Sequence, residues 1–162
     1  MKKLIFWGLV TLVTLLSACT HSSPRDFYSM VSSGNSPNGN VWTIWLGMTK
    51  EEEFAATHGG INSDFEVRLR IRDGIVKSLT SSSSCYYPVG LAWNMTRDDI
   101  KAFYAKDPGV AITDAPNLLT VTKTIDGTLY YIRIVFYDDG TIKEINQTID
   151  PTIDTLKFPG QS

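Results

Sequence analysis

Beyond residue 40 the apolar and polar positions fall into runs whose period changes along the chain. Phe65-Glu-Val-Arg-Leu-Arg-Ile71 sets apolar side chains at every second position, and Ile75-Val-Lys-Ser-Leu79 follows after Arg72-Asp73-Gly74. Alternation of period two around an Asp-Gly turn predicts a β-hairpin with one face toward a core. The pattern returns in Tyr130-Tyr-Ile-Arg-Ile-Val-Phe136, then Tyr137-Asp-Asp-Gly140, then Thr141-Ile-Lys-Glu-Ile145. Leu118 to Ile125, joined through Asp126-Gly127, predicts one more strand beside the second hairpin.

Ahead of each hairpin the period lengthens. Gly47-Met48-Thr49-Lys50-Glu51-Glu52 and Asn94-Met95-Thr96-Arg97-Asp98-Asp99 each place a threonine three residues before an acid. Each follows a segment rich in aromatics, with Trp42 and Trp45 in the first and Trp93 in the second. A threonine hydroxyl accepts from the free N–H groups of a first helical turn, and acids there meet the positive end of the helix dipole. The motifs predict helices from about Lys50 to Thr57, stopping at Gly59-Gly60, and from about Arg97 to Lys106, ending before Pro108. Ile100, Phe103 and Tyr104 share one face of the second helix. Two tandem units, about 41–80 and 86–150, predict an α+β domain over 41–162. Each unit is a helix plus antiparallel strands, and together they form one sheet with the helices on one face.

Gly47-Met48-Thr49 before mixed charges, and a strand end of the form Phe136-x-x-Asp139-Gly140-x-Ile142-x-x-Ile145, resemble the BamE/SmpA-OmlA group of outer-membrane lipoproteins. Asn94 stands where that signature has its glycine. Doubled over roughly residues 41–149, the arrangement is also similar to the tandem-repeat β-lactamase-inhibitor protein fold. The resemblance implies a protein-binding module without catalytic activity: an inhibitor or immunity-type protein, or an accessory of outer-membrane assembly.

The first forty residues read differently. Lys2 and Lys3 precede Leu4 to Leu16, a run without charge. That run is shorter than the roughly 20 residues a spanning helix needs, and the order of basic start then apolar run is that of a secretory leader. Leu16-Ser17-Ala18-Cys19 resembles a bacterial lipobox, in which the cysteine thiol is acylated and the chain is cut just before it. Residues 1–18 are thus a lipoprotein signal peptide, and Cys19 is the lipidated N-terminus. Thr20 is not the aspartate that retains enteric-type lipoproteins at the inner membrane, so the expected place is the outer membrane, facing the periplasm. Residues 19–40, rich in Ser, Pro, Asn and Gly, read as a flexible tether. The inset Phe27-Tyr28-Ser29-Met30-Val31 departs from linker composition and marks a segment able to dock on the domain.

Charge and chemistry narrow the function. Removing residues 1–18 takes away two lysines and no acid, which leaves thirteen basic against seventeen acidic residues. That balance argues against a nucleic-acid partner, because phosphate binding relies on clustered Lys and Arg. Cys85 then has no second thiol; it reads as a buried small hydrophobe, with an interchain disulfide or a reactive thiol as alternatives. His21 and His58 have no orienting acid nearby in sequence, and Ser81 to Ser84 lack the glycines of a nucleophile elbow. An envelope hydrolase using Cys85 or a loop serine is the alternative function, with no catalytic constellation to support it. Asp138-Asp139-Gly140 lacks the alternating ligands of a calcium loop, and no metal, cofactor or small-molecule substrate is implied. The strands carry the stronger signal. With Phe65, Val67, Leu69 and Ile71 turned inward, Arg68, Arg70 and Arg72 line the outer face, and in the second hairpin Tyr131, Arg133, Val135 and Tyr137 do so. Tyrosine and arginine in such rows have the composition of a protein-binding hot spot, so these residues are the candidate partner-binding set.

Overall fold

The computed structural model describes residues 25–33, 43–57, 67–82 and 86–153. In chain order the elements are α1 (Asp26–Ser29), β1 (Met30–Ser33), β2 (Thr43–Trp45), α2 (Lys50–Ala56), β3 (Val67–Arg72), β4 (Ile75–Ser81), β5 (Tyr86–Pro88), α3 (Arg97–Tyr104), β6 (Ala111–Ala115), β7 (Leu118–Ile125), β8 (Thr128–Phe136) and β9 (Ile142–Thr148). The fold is mixed α/β. A six-stranded antiparallel sheet runs β3-β4-β9-β8-β7-β6, and a separate three-stranded sheet runs β2-β1-β5. The strands therefore divide between two sheets, where the alternation had implied one.

Both predicted hairpins form, and both bend at the same place. Arg70 pairs with Ser78 and Ile71 with Val76, which leaves Lys77 as an extra residue. Val135 pairs with Glu144 and Phe136 with Ile142, which leaves Lys143 extra. Each extra residue is a β-bulge two positions after the turn-exit residue, and bulges sharpen the local twist. The Asp73-Gly74 turn has both residues at positive φ (55° and 71°), the conformation that Asp-Gly hairpin turns require.

The helix starts also match the sequence reading. Thr49 accepts from Glu52 N–H at 3.2 Å, and Glu52 Oε2 accepts from Thr49 N–H at 2.7 Å. Thr96 and Asp99 make the same reciprocal pair at 3.2 and 3.0 Å. Both are capping boxes, each satisfying two orphan donors of a helix terminus. The methionine before each threonine closes a turn. Met48 N–H donates to Trp45 O while Trp45 N–H donates to the Met48 sulfur, and Met95 does both with Ala92. The helices are short, ending at Ala56 and Tyr104, and Gly59-Gly60 lies outside the described residues.

The largest departure concerns the tether. Residues Asp26–Ser33 are helix and strand, and β1 is the middle strand of its sheet, with Val31 opposite Ile44 on one side and Pro88 on the other. Tyr28 and Val31 are buried in the core with Ile44, Leu79, Ile132 and Ile134. Tyr28 and Tyr104 sit with ring centroids 5.5 Å apart, and Phe27 meets Phe103 edge-on at 5.4 Å. Gly90 passes beneath this cluster, where an added Cβ would lie 2.5 Å from Phe103 and 2.8 Å from Phe27. The apolar cluster inside a polar stretch was the visible signal; its pairing partners are distant in sequence. Strands β5 and β6 also carry too few residues, or too weak an alternation, to stand out in the sequence.

Two outcomes are expected in denaturant melts. Thr49→Ala and Thr96→Ala each cost about 1 kcal/mol, as N-caps do, and the double variant adds them within about 0.5 kcal/mol. Tyr28→Ala costs about 3–5 kcal/mol, the range for emptying a buried aromatic site, whereas an exposed linker residue would change stability by less than about 0.5 kcal/mol.

Candidate partner-binding face

The registers of the six-stranded sheet show which side chains share a face. One cross-strand row runs Arg68, Thr80, Asn146, Arg133, Thr120 and Thr113. The next runs Arg70, Ser78, Thr148, Tyr131, Thr122 and Ala111. The arginines predicted from the first hairpin and the Tyr131–Arg133 pair from the second therefore lie on one face, separated by β4 and β9. The other face carries Ile132, Ile134 and Leu79 and is covered by α1, whose Arg25 donates from Nε to Tyr130 Oη at 2.9 Å.

The candidate residues are not equally open. Arg68, Arg70 and Arg72 are exposed, and Tyr131 and Arg133 are half-buried. Val135 is only 8% exposed, which corrects the reading of it as a free contact residue: Leu118 pairs beside it on β7 and Glu144 on β9. Tyr137 is 52% exposed and lies beyond the end of β8 in the hairpin turn, where its N–H donates to Thr141 O. Lys143, the bulge residue, holds its ammonium 5.5 Å from the Tyr137 ring centroid. Together with Asn117, Leu118 and Asp138 they border an open pocket of about 400 Å³.

Charge is partly neutralised within the face. Arg68 bridges to Glu144, reaching across β4 from the sheet edge, and Arg72 pairs with Asp150 at 2.5 Å. Burial pushes the Glu144 carboxyl above the usual carboxylate range, against the opposing pull of Arg68 and Lys143. Arg133 is folded along its own strand, its guanidinium 5.8 Å from the Tyr131 ring centroid. Between the arginines the floor is polar and closed: Ser78, Thr80, Asn146 and Thr148 are at most 1% exposed. The Asn146 amide donates to Ser78 Oγ, Thr80 Oγ1 and Leu79 O, while its Oδ1 has no hydrogen-bond partner among the described residues.

No family model, curated protein or solved structure matches the chain.

Cys19, His21, His58, Ser83, Ser84 and Cys85 lie outside the described residues. Ser81, read as a loop serine, belongs to β4 and is buried. Among the described residues no group of three His, Cys, Asp or Glu side chains is arranged to hold a metal ion, and no helix is long and apolar enough to cross a membrane.

A second polar cluster had no signature in the sequence, because its members are far apart in the chain. Tyr28 Oη donates to Asp107 Oδ2 at 2.8 Å, and Lys123 Nζ lies 2.9 Å from Asp107 Oδ1. Burial, then the bond to Asp107, pushes the Tyr28 hydroxyl far above its ordinary titration range. For Asp107 partial burial pushes upward, but the hydrogen bonds from Lys123 and Tyr28 outweigh it and hold the carboxyl below its ordinary 3.8. A carboxyl depressed on folding contributes stability above its unfolded pKa and loses it as pH falls through the folded value. Melting temperature of the wild type should therefore fall as pH drops below about 4. Asp107→Asn should start lower at neutral pH and show a shallower acid slope.

Proposed function

We propose that the chain is a lipid-anchored, non-enzymatic module of the bacterial envelope that binds a protein partner on the outer face of its six-stranded sheet, in the manner of an inhibitor, an immunity protein or an assembly accessory. The observation that carries this reading is the difference between the sheet's two faces. One packs α1 and an apolar core; the other presents Arg70 and Arg133 beside half-buried Tyr131, with exposed Tyr137 at the end of the same hairpin. Arginine and tyrosine supply large contact areas with directional polar groups, and they dominate binding hot spots.

The fold is further proposed to be two tandem units. The capping boxes, the methionine turns and the bulges at Lys77 and Lys143 recur at equivalent places. Aligned by these features, Thr80 corresponds to Asn146, and those two residues pair directly where β4 meets β9. Leu79 pairs with Gln147 and Ser81 with Ile145, as an approximate two-fold axis through the Thr80–Asn146 pair requires. β2 and β5, which precede the two motifs, flank β1 on either side.

Lipidation at Cys19 leaves only residues 20–24 before the described fold begins at Arg25. At about 3.5 Å per residue the body then stays within roughly 20 Å of the membrane surface.

The reading is tested with the mature lipoprotein and the envelope protein it retains. Tyr137→Ala should weaken that complex about thirtyfold, the scale of a 2 kcal/mol hot spot, with little change in melting temperature. Ile132→Ala should instead cost about 2–5 kcal/mol of folding stability. A tyrosine variant that binds like wild type overturns this face. Cys19→Ala should abolish lipid attachment and signal cleavage together, and a wild type found soluble in the periplasm with an N-terminus beyond Cys19 would refute the anchor.

A further inference from the structure

We infer that Arg133 is the receptor for an acidic side chain of the partner protein. The inference rests on the protein-binding reading above and names the chemistry its partner must present. It starts from the asymmetry of the two units. In their alignment Arg68 corresponds to Arg133, and the two stand on either side of the Thr80–Asn146 pair in one row. Arg68 finds a carboxylate, Glu144. The residue corresponding to Glu144 in the other unit is Ser78, so the place where Arg133 would find its acid holds a short hydroxyl that already accepts from Asn146. Arg133 turns back over Tyr131 instead, and among the described residues no carboxylate pairs with it.

Charge complementarity favours an anionic group. Arg68 and Arg72 are neutralised by Glu144 and Asp150, whereas among the described residues Arg70 and Arg133 form no ion pair. The face thus keeps two guanidiniums in surplus on a chain whose acids outnumber its bases. Arg133 is half-buried, and a guanidinium sheltered from solvent attracts a carboxylate more strongly than an exposed one does.

The shape of the guanidinium favours one kind of anion. Arg133 offers a planar fork, which a carboxylate answers with two parallel N–H···O bonds. The floor beside it is closed, with Asn146 at 0% exposed, so the contact is made by a side chain of the partner at the surface of the face. On a protein-binding face that side chain is an aspartate or a glutamate.

The test titrates the mature lipidated protein in detergent micelles with a glutamate–glycine decapeptide, following side-chain nitrogen resonances by NMR. Arg133 Nε should shift and saturate. Arg133→Gln should lower the peptide's affinity at least about tenfold, Arg133→Lys less, and Arg72→Gln less than about twofold, because Arg72 already has its acid. Inorganic phosphate at equal charge should compete poorly; competition equal to the peptide's would make this a general anion site and overturn the assignment. Unchanged affinity in Arg133→Gln, or no saturable shift at Arg133, overturns it as well. If the peptide instead moves only the Tyr137 and Lys143 resonances, Arg133 is not the receptor while the protein-binding face stands. The thirtyfold effect of Tyr137→Ala on the envelope complex decides that broader reading separately.

Discussion

The sheet depends on a buried amide. β4 and β9 meet over four residue pairs, Ser78–Thr148 to Ser81–Ile145, and this short seam is what joins two hairpins into one six-stranded sheet. The seam is polar. Asn146 donates from one nitrogen to Ser78, Thr80 and the Leu79 carbonyl, and Thr148 Oγ1 donates to Lys77 O. A slip by one residue here would send the amide to the apolar side and leave these hydroxyls buried without partners, which costs about 1–3 kcal/mol per group. The network specifies one alignment of the two halves, and that alignment sets Arg68 and Arg133 at equal distances on either side of it.

The second join is β1. Its two neighbours, β2 and β5, hydrogen-bond only to it within their sheet. Gln147 Nε2 lies 3.5 Å from Met30 O, so the small sheet touches the seam from below. Tyr28 extends the connection through Asp107 and Lys123 to β7. A segment close in sequence to the proposed lipid anchor is thus built into the core.

The same geometry explains why the outer face separates into parts. At the β3 edge the arginines are exposed but mostly answered by acids from β9 and the turn after it. In the middle, Ser78, Thr80, Asn146 and Thr148 form a buried polar floor. At the far end of the β8–β9 hairpin the bulge at Lys143 lets that lysine lie over Tyr137 and opens the pocket beside it. The arginines of β3 and Tyr137 therefore sit at opposite ends of the face, although a simple alternation rule ranks them alike. Val135 obeys the alternation and is nevertheless covered, with Leu118 and Glu144 paired on either side of it.

Local physics was legible in the sequence. The Asp-Gly turns, the alternating runs and the threonine caps depend on residues within a few positions of one another, so their energies are decided before any distant contact forms. The leader and lipidated cysteine proposed for residues 1–19 rest on patterns of the same local kind and lie outside the described residues. Which strand lies beside which, and what each face meets, depends on contacts between residues as far apart as Arg25 and Tyr130 or Tyr28 and Asp107. β1 carries only four residues, and its strand state exists because β2 and β5 supply hydrogen-bond partners on both edges. The burial of Val135, the pairing of Arg68 with Glu144 and the placement of Arg133 over Tyr131, with no carboxylate partner among the described residues, were likewise settled by tertiary placement, since a guanidinium's partner is chosen by proximity in space and not by its place in the chain.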